Sequence, residues 1–293
     1  MKIAVAKYPV EAPRDFAEFA EKQRRLLEHA AAQDAQWAVL PEYLSLELGA
    51  TFEEPVRSDL QGSLAGIQRY HDDWLALFSG LARDTGMRIV AGTFLLADGN
   101  GGYRNRSYLF APDGGRVWQD KLQMTGFEKK ANTIHGGDAL KAFDIGGVRG
   151  AIAVCYDIEF PLPVRAQCEA GAKLLIVPSC TEAAAGATRV RVGCLARALE
   201  NRCYVAQSVT AGEAPWSPAL DFNVGEATVY APMDVGFPSD GIVAQTQGDQ
   251  VWAFADLDFE ALEASRERAQ VANDRDWPGQ LKPGLATAKV ELL

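Results

Sequence analysis

Three segments of the sequence end an apolar run on a side chain that can take part in chemistry. WAVLPEY (37–43) carries Glu42, VWQDKLQMTGFE (117–128) carries Lys121 and Glu128, and AIAVCYDIEFP (151–161) delivers Cys155 to an acidic turn. A thiol is a poor nucleophile while protonated. A neighbouring carboxylate can take its proton, and a neighbouring ammonium lowers the thiol pKa and steadies an oxyanion. Nucleophile, general base and electrostatic stabiliser together can break an acyl bond with no metal. Each residue taken singly also has a plainer reading. Most lone cysteines on apolar strands are packing residues. Glu42 after Pro41 fits a solvated turn, and Lys121 fits a surface charge.

Strand ends suit such groups because the sheet is rigid and its edge loops are open. The spacing of apolar residues predicts an amphipathic helix over 14–32 and a second over 64–86, closed near Gly86. Further helices are expected over 162–172, closed by Gly171, over 186–201 and over 259–270. Strands are expected at the N-terminus and at 37–43, 87–96, 148–155, 173–179, 203–209, 227–232 and 251–258. The stretch 104–121 reads as a hairpin about Pro112-Asp113-Gly114-Gly115. Strands alternate with helices in places, as in α/β layers. No internal repeat, low-complexity block or Gly/Ser linker is seen, so residues 1–293 read as one domain with a Pro/Gly-punctuated tail at 274–293.

The 293 residues are 48% hydrophobic and 23% charged, with a formal net charge of −10. An acidic surface argues against nucleic acid or an anionic membrane as partner. No apolar run of about 18 residues occurs, so no membrane span is expected. MKIAVAKYPV is too short for a signal-peptide core. The five cysteines (Cys155, Cys168, Cys180, Cys194, Cys203) show no CxxC spacing, and the three histidines no HxxxH or HxH. This reads as reduced thiols in a cytoplasmic protein, with no zinc site. No phosphate-binding glycine loop is present, so neither metal nor other cofactor is expected. Among the cysteines, Cys155 alone ends a strand beside an acid-rich turn.

Taken in order, LPEY, DKLQMTGFE and CYDIEFP resemble the Glu-Lys-Cys signature of the nitrilase superfamily, the carbon-nitrogen hydrolases. GAKLLIVPS and RALENRCYVAQ resemble the segments that follow the cysteine there, and the likeness runs from residue 1 to about 258. The sequence is most similar to a branch in which some members are fused to an acetyltransferase domain, for which this chain has no room. The resemblance implies a four-layer α-β-β-α sandwich that pairs as a homodimer or larger even oligomer, with the tail adding contacts. It implies Glu42 as general base, Lys121 as stabiliser of the tetrahedral intermediate and Cys155 as nucleophile at a sharp strand-to-helix turn. Glu128 would match a second glutamate that positions substrate or assists proton transfer, and the Tyr156 N–H would complete the oxyanion site. The implied activity is amidase-type hydrolysis through a Cys thioester, with nitrile hydrolysis and acyl transfer to an amine as alternatives.

The sequence also departs from that pattern. Glu159 and Leu162 stand where many relatives have an arginine and a glutamate, and Arg189-Val190 where many have His-Trp. Arg189 and Arg191 lie two residues apart on a predicted helix and so point in different directions. One of them near the pocket would suit a substrate with a carboxylate remote from the scissile amide. Trp216 and Phe222, in a loop-rich stretch, either line the pocket or pack the loops; packing is the reading favoured.

Overall fold

The chain runs β1 (Lys2–Pro9), α1 (Phe16–Ala32), β2 (Trp37–Leu40), α2 (Glu54–Arg57), α3 (Leu60–Ile67), α4 (His71–Thr85), β3 (Arg88–Ala97), β4 (Tyr103–Phe110) and β5 (Arg116–Asp120). It continues through α5 (Gly126–Ala131), β6 (Ile134–His135), β7 (Phe143–Ile145), β8 (Val148–Ile152), α6 (Pro161–Glu169), β9 (Leu174–Ser179), α7 (Ala184–Asn201) and β10 (Tyr204–Glu213). The last elements are β11 (Phe222–Asn223), β12 (Thr228–Tyr230), β13 (Ile242–Gln245), β14 (Trp252–Asp256), α8 (Phe259–Ala264) and α9 (Asn273–Asp276). The structure is a computed structural model that describes residues 1–291 apart from the side chain of Ile145.

The first strand shows how the layers arise. Side chains alternate along a strand, so KIAVAKYP turns Ile3 and Val5 to one face and Ala4 and Ala6 to the other. Ile3 and Val5 share one buried cluster with Leu175 and Val205 of a second sheet and with Ala153 just past β8. Ala4 and Ala6 lie against Phe19 of α1 and Trp74 and Phe78 of α4. The small side chains let those helices sit close, and Phe19 stacks on Trp74 at 5.6 Å between ring centroids. Helices α6 and α7 cover the second sheet through Val164, Val190, Cys194 and Ala198. The expected four-layer sandwich is therefore what the chain forms.

The strand order is β5-β4-β3-β2-β1-β10-β9-β8-β7. Residues 2–6 of β1 pair with β14, and Ile3–Val5 pair with β2. Residues Lys7–Pro9 cross over to pair with β10. One strand thus belongs to both sheets, and the carboxyl ends of β2, β8 and β9 open toward a common cleft.

Two helices differ from the sequence reading. The stretch 64–86 is two helices, α3 and α4, joined by a tighter 3-10 turn at Gln68–Tyr70. The Gln68 amide donates to Leu64 O and Leu95 O and accepts from Ala97 N, which draws the chain toward β3. The helix at 259–270 ends at Ala264, where the Ser265 hydroxyl donates to Leu262 O. The tail, described to residue 291, carries α9 and short 3-10 turns with no buried side chains in them; Leu292 and Leu293 lie outside the described residues. Among the described residues, no helix is long and apolar enough to cross a membrane.

Candidate active site

Pro41 stops β2, and the chain turns sharply through Tyr43 at φ 61°. The neighbouring strand makes room: Gly92 (φ +61°) sits at an irregularity in the β3–β4 register. A Cβ there would lie 2.1 Å from the Pro41 carbonyl oxygen, so only glycine fits. The turn buries Glu42. Its Oε1 accepts from Lys121 Nζ and from Asn105 Nδ2, both at 2.8 Å, and its Oε2 accepts from Cys180 N at 3.1 Å.

Lys121 leaves the end of β5. Its Nζ also donates to Glu128, at 3.0 Å to Oε1 and 2.8 Å to Oε2. Glu128 is fixed by local structure: with Thr125 it forms the capping box of α5. The Thr125 N–H and hydroxyl and the Tyr43 hydroxyl all donate to it. The ammonium is therefore clasped by two buried carboxylates.

Cys155 opens a tight 3-10 turn just past β8, at φ +48°. That left-handed conformation is strained for any residue with a Cβ, and such strain gathers where a side chain must be presented in one direction. The turn is held from two sides. Asp157 accepts from Val154 N at 3.2 Å, from Leu122 N at 3.0 Å and from Gln123 N at 2.7 Å, tying the cysteine turn to the residues after Lys121. On the other side Gly193 of α7 lets the helix press against Ile158. The Cys155 thiol donates to Cys180 O at 3.6 Å and also meets the Glu42 carboxylate.

Burial, with Glu42 beside it, holds the Cys155 thiol well above its ordinary pKa. Burial also raises Glu42, over the opposing pull of Lys121. Glu128 is buried as well, but Lys121 and its N–H and O–H donors win and lower it. Burial would lower Lys121, yet the two carboxylates outweigh it and the ammonium is raised. The pair of acids is thus split, with Glu128 lowered against the lysine and Glu42 raised by burial. Burial pushes Asp157 up to about 7 against its three backbone donors.

These groups floor a cavity of about 370 Å³, bounded by Phe127, Tyr156, Glu159, Arg189 and Pro218 among others. Glu42, Lys121 and Cys155 reach it directly and Glu128 stands behind Lys121, so all four predicted polar residues are brought together. Tyr156 lies on the wall. Arg189 does too, whereas Arg191 faces a separate pocket of about 360 Å³ across α7 with Gln207, Glu226 and Tyr230. Trp216 packs near Gly49, and Phe222 is exposed; from their segment Pro218 and Ala219 reach the cavity instead. Among the described residues no group of three or more His, Cys, Asp or Glu is arranged to hold a metal ion.

Sequence reading missed four participants: Tyr43, Asn105, Asp157 and Cys180. Asn105 carried a signal, as a buried amide on the inward face of β4 beside Ser107. Cys180 follows LLIVPS much as Cys155 follows an apolar run, and it lines the same cavity. Burial, with Glu42 next, pushes its thiol up to about 12.

The profile of the carbon-nitrogen hydrolase family matches residues 2–247. The chain is 33% identical over 277 residues to a probable hydrolase, YhcX, of Bacillus subtilis, covering 94% of this chain and 53% of that protein. It thus spans about half the length of that relative. It is 24% identical to an omega-amidase of Xenopus laevis, covering 87% of this chain and 88% of that one. Among solved structures it superposes on yeast Nit3, a nitrilase-superfamily member, with TM-score 0.73 at 20% identity, covering 94% and 96% of the two chains. An amidase from Nesterenkonia sp. AN1 in complex with acrylamide gives TM-score 0.69 at 22% identity, covering 94% and 97%.

Proposed function

The chain belongs to the carbon-nitrogen hydrolase family, and from that premise we propose that it is an amidase that cleaves a small non-peptide amide through a thioester on Cys155. The observation that carries the reading is the Lys121 ammonium held between Glu42 and Glu128, with Glu42 and the Cys155 thiol opening onto one cavity. The omega-amidase among the relatives supports amides over other carbon-nitrogen bonds.

The chemistry follows from the pKa ordering. The resting thiol is protonated, so it needs a base at the moment of attack. Glu42, as carboxylate, takes that proton while sulfur adds to the amide carbon. Lys121 and the Tyr156 N–H meet the oxygen as it becomes an oxyanion. The intermediate collapses as Glu42 returns the proton to the leaving nitrogen. Ammonia or an amine departs and the acyl group stays on sulfur. Water then gives a proton to Glu42 and adds to the thioester, releasing the acid and restoring the thiol. Glu128 takes no proton; it balances Lys121 so that Glu42 can. Arg189 on the cavity wall supports a substrate with a carboxylate at its far end.

Ammonia release from a panel of ω-amido acids, ureido acids, simple amides and nitriles tests this, with intact mass spectrometry to trap the acyl-enzyme. An adduct on Cys155 with stoichiometric ammonia is expected. Turnover of nitriles alone would make the protein a nitrilase, and acylated amine in place of free acid would make it a transferase. We extend the reading to assembly. Leu162 on α6 and Val192 on α7 are 68% and 58% exposed, apolar positions that the interface of a homodimer could cover. Light scattering that gives the 31.7 kDa monomer alone at micromolar concentration would contradict it.

A further inference from the structure

Two opposite charges stand at the rim of the cavity with no hydrogen bond to any described residue. Arg189 Nε lies 3.7 Å from Glu159 Oε1, within ion-pair range but beyond a hydrogen bond. The Glu159 carboxylate is 22% exposed and accepts no hydrogen bond from any described residue. The Arg189 guanidinium, 63% exposed, donates none. The largely buried Glu159 carboxylate is poorly solvated, whereas Arg189 stands in solvent, and both line the space a substrate would fill. Glu182 adds a second carboxylate to the same wall.

This arrangement penalises a substrate with a single charge. A lone carboxylate that reaches Arg189 meets Glu159 and Glu182 beside it. A lone ammonium that reaches the two glutamates meets Arg189. A substrate with both charges on neighbouring atoms meets each with its opposite, and repels neither. We infer that the Glu159–Arg189 pair is a receptor for a zwitterionic headgroup, so that the favoured substrate is an α-amino acid bearing a terminal amide. The ammonium would lie toward Glu159 and Glu182, and the carboxylate would take the free donors of Arg189. Glu159 is then a specificity-determining residue. The inference rests on the amidase reading and deepens it: the carboxylate expected at the far end comes with an ammonium.

Four amides of matched length separate the contributions: L-glutamine, 4-carbamoylbutanoate without the ammonium, 4-aminobutanamide without the carboxylate, and butanamide with neither. The set built on L-asparagine, one carbon shorter, is run beside it. Adding the missing charge to either singly charged amide should raise kcat/KM by about ten- to a hundredfold, the range of a charge-assisted hydrogen bond. E159Q should collapse the preference for L-glutamine over 4-carbamoylbutanoate, and R189Q the preference over 4-aminobutanamide. A parallel fall on all four amides would make the pair structural and overturn the inference. Ratios that neither variant moves, or a singly charged amide preferred in both sets, would overturn it as well. Hydrolysis of the uncharged amides without any gain for the amino acids leaves the amidase reading standing; no ammonia from any amide sinks that reading itself.

Discussion

The protein buries two lysine–glutamate assemblies, and they differ in how many buried carboxylates meet the ammonium. Lys22 and Glu47 lie 2.5 Å apart beneath the first sheet. Lys22 Nζ also donates to Pro9 O at 2.5 Å, and Glu47 accepts from the Tyr8 hydroxyl and from Glu11 N. Lys22 also lies 3.6 Å from the exposed Glu11 carboxylate, at a pocket of about 430 Å³, so one buried carboxylate meets its ammonium and a second meets it from the surface. Lys121 instead has two carboxylates that are both buried, and a thiol within reach at the floor of its cavity. Burial raises both Glu47 and Glu42. What separates them is that the second acid beside Lys121 is itself buried, whereas the one beside Lys22 is exposed. Glu128 neutralises the lysine, so Glu42 can gain and lose a proton without leaving a buried ammonium uncompensated. A buried ion pair by itself is weak evidence of function; a second buried acid beside a thiol and a cavity is stronger.

The sharpest way to break this contrast is to delete one member of each assembly. Cys155→Ala and Lys121→Ala should lower kcat by on the order of 10⁴-fold or more, as loss of a nucleophile or its activating unit does. Lys22→Ala should leave kcat/KM of the folded fraction within a few-fold. Initial rates normalised to folded protein decide it, and comparable losses of catalysis would erase the distinction.

Stability should invert the ranking. Lys22→Ala strands the Glu47 carboxylate and should cost about 3–5 kcal/mol in urea unfolding. Replacing both partners, as Lys22→Met with Glu47→Leu, should recover most of that loss, since an apolar pair of similar volume is often neutral. A double variant no more stable than the single one would mean that the Tyr8 and Glu11 contacts matter more than the charge.

The pH profile sharpens the comparison further. Glu42 must be ionised to take the thiol proton, and burial raises it. Turnover should therefore fall as pH falls, with the acid limb of kcat/KM above the ordinary glutamate value of about 4.3. An acid limb at or below that value would show that Glu42 is not the base. The smallest effect expected concerns backbone strain at Cys155. A left-handed residue with a Cβ costs about 1–2 kcal/mol, so Cys155→Gly should be more stable than Cys155→Ala by about 1 kcal/mol, measured by thermal unfolding.

The elements were legible wherever one periodicity ran unbroken. KIAVAKYP and KLLIVPS read correctly as strands because their apolar residues have no competing spacing. The helix over 64–86 read as continuous because the apolar positions keep their phase across Gln68–Tyr70. The break there is made by a side chain reaching β3, a contact between segments that no local pattern carries. The site divides the same way. Glu42, Lys121 and Cys155 announce themselves as reactive residues at strand ends. Asp157 and Cys180 were passed over because their roles lie in backbone contacts to distant segments, from Asp157 to Leu122 and Gln123 and from Cys180 N to Glu42. The choice between Arg189 and Arg191 needed the helix seated on its sheet before either could be assigned a side.

The sharing of β1 between the two sheets has a consequence for synthesis. Its partner β14 comes from the far end of the chain, and the Met1 ammonium donates to Leu257 O across 256 positions. At translation rates of about 5–20 residues per second, β1 waits roughly ten seconds to a minute for that strand to leave the ribosome. During this wait β1 has an unpaired edge, and the apolar face of Ile3 and Val5 has no second sheet to cover it. The slow step in making this protein is then a long-range closure, in which contacts far apart in sequence form late, and the nascent chain before that closure is its most aggregation-prone form. The strand that joins the two sheets is made before all of its partners and is the last to be fully paired.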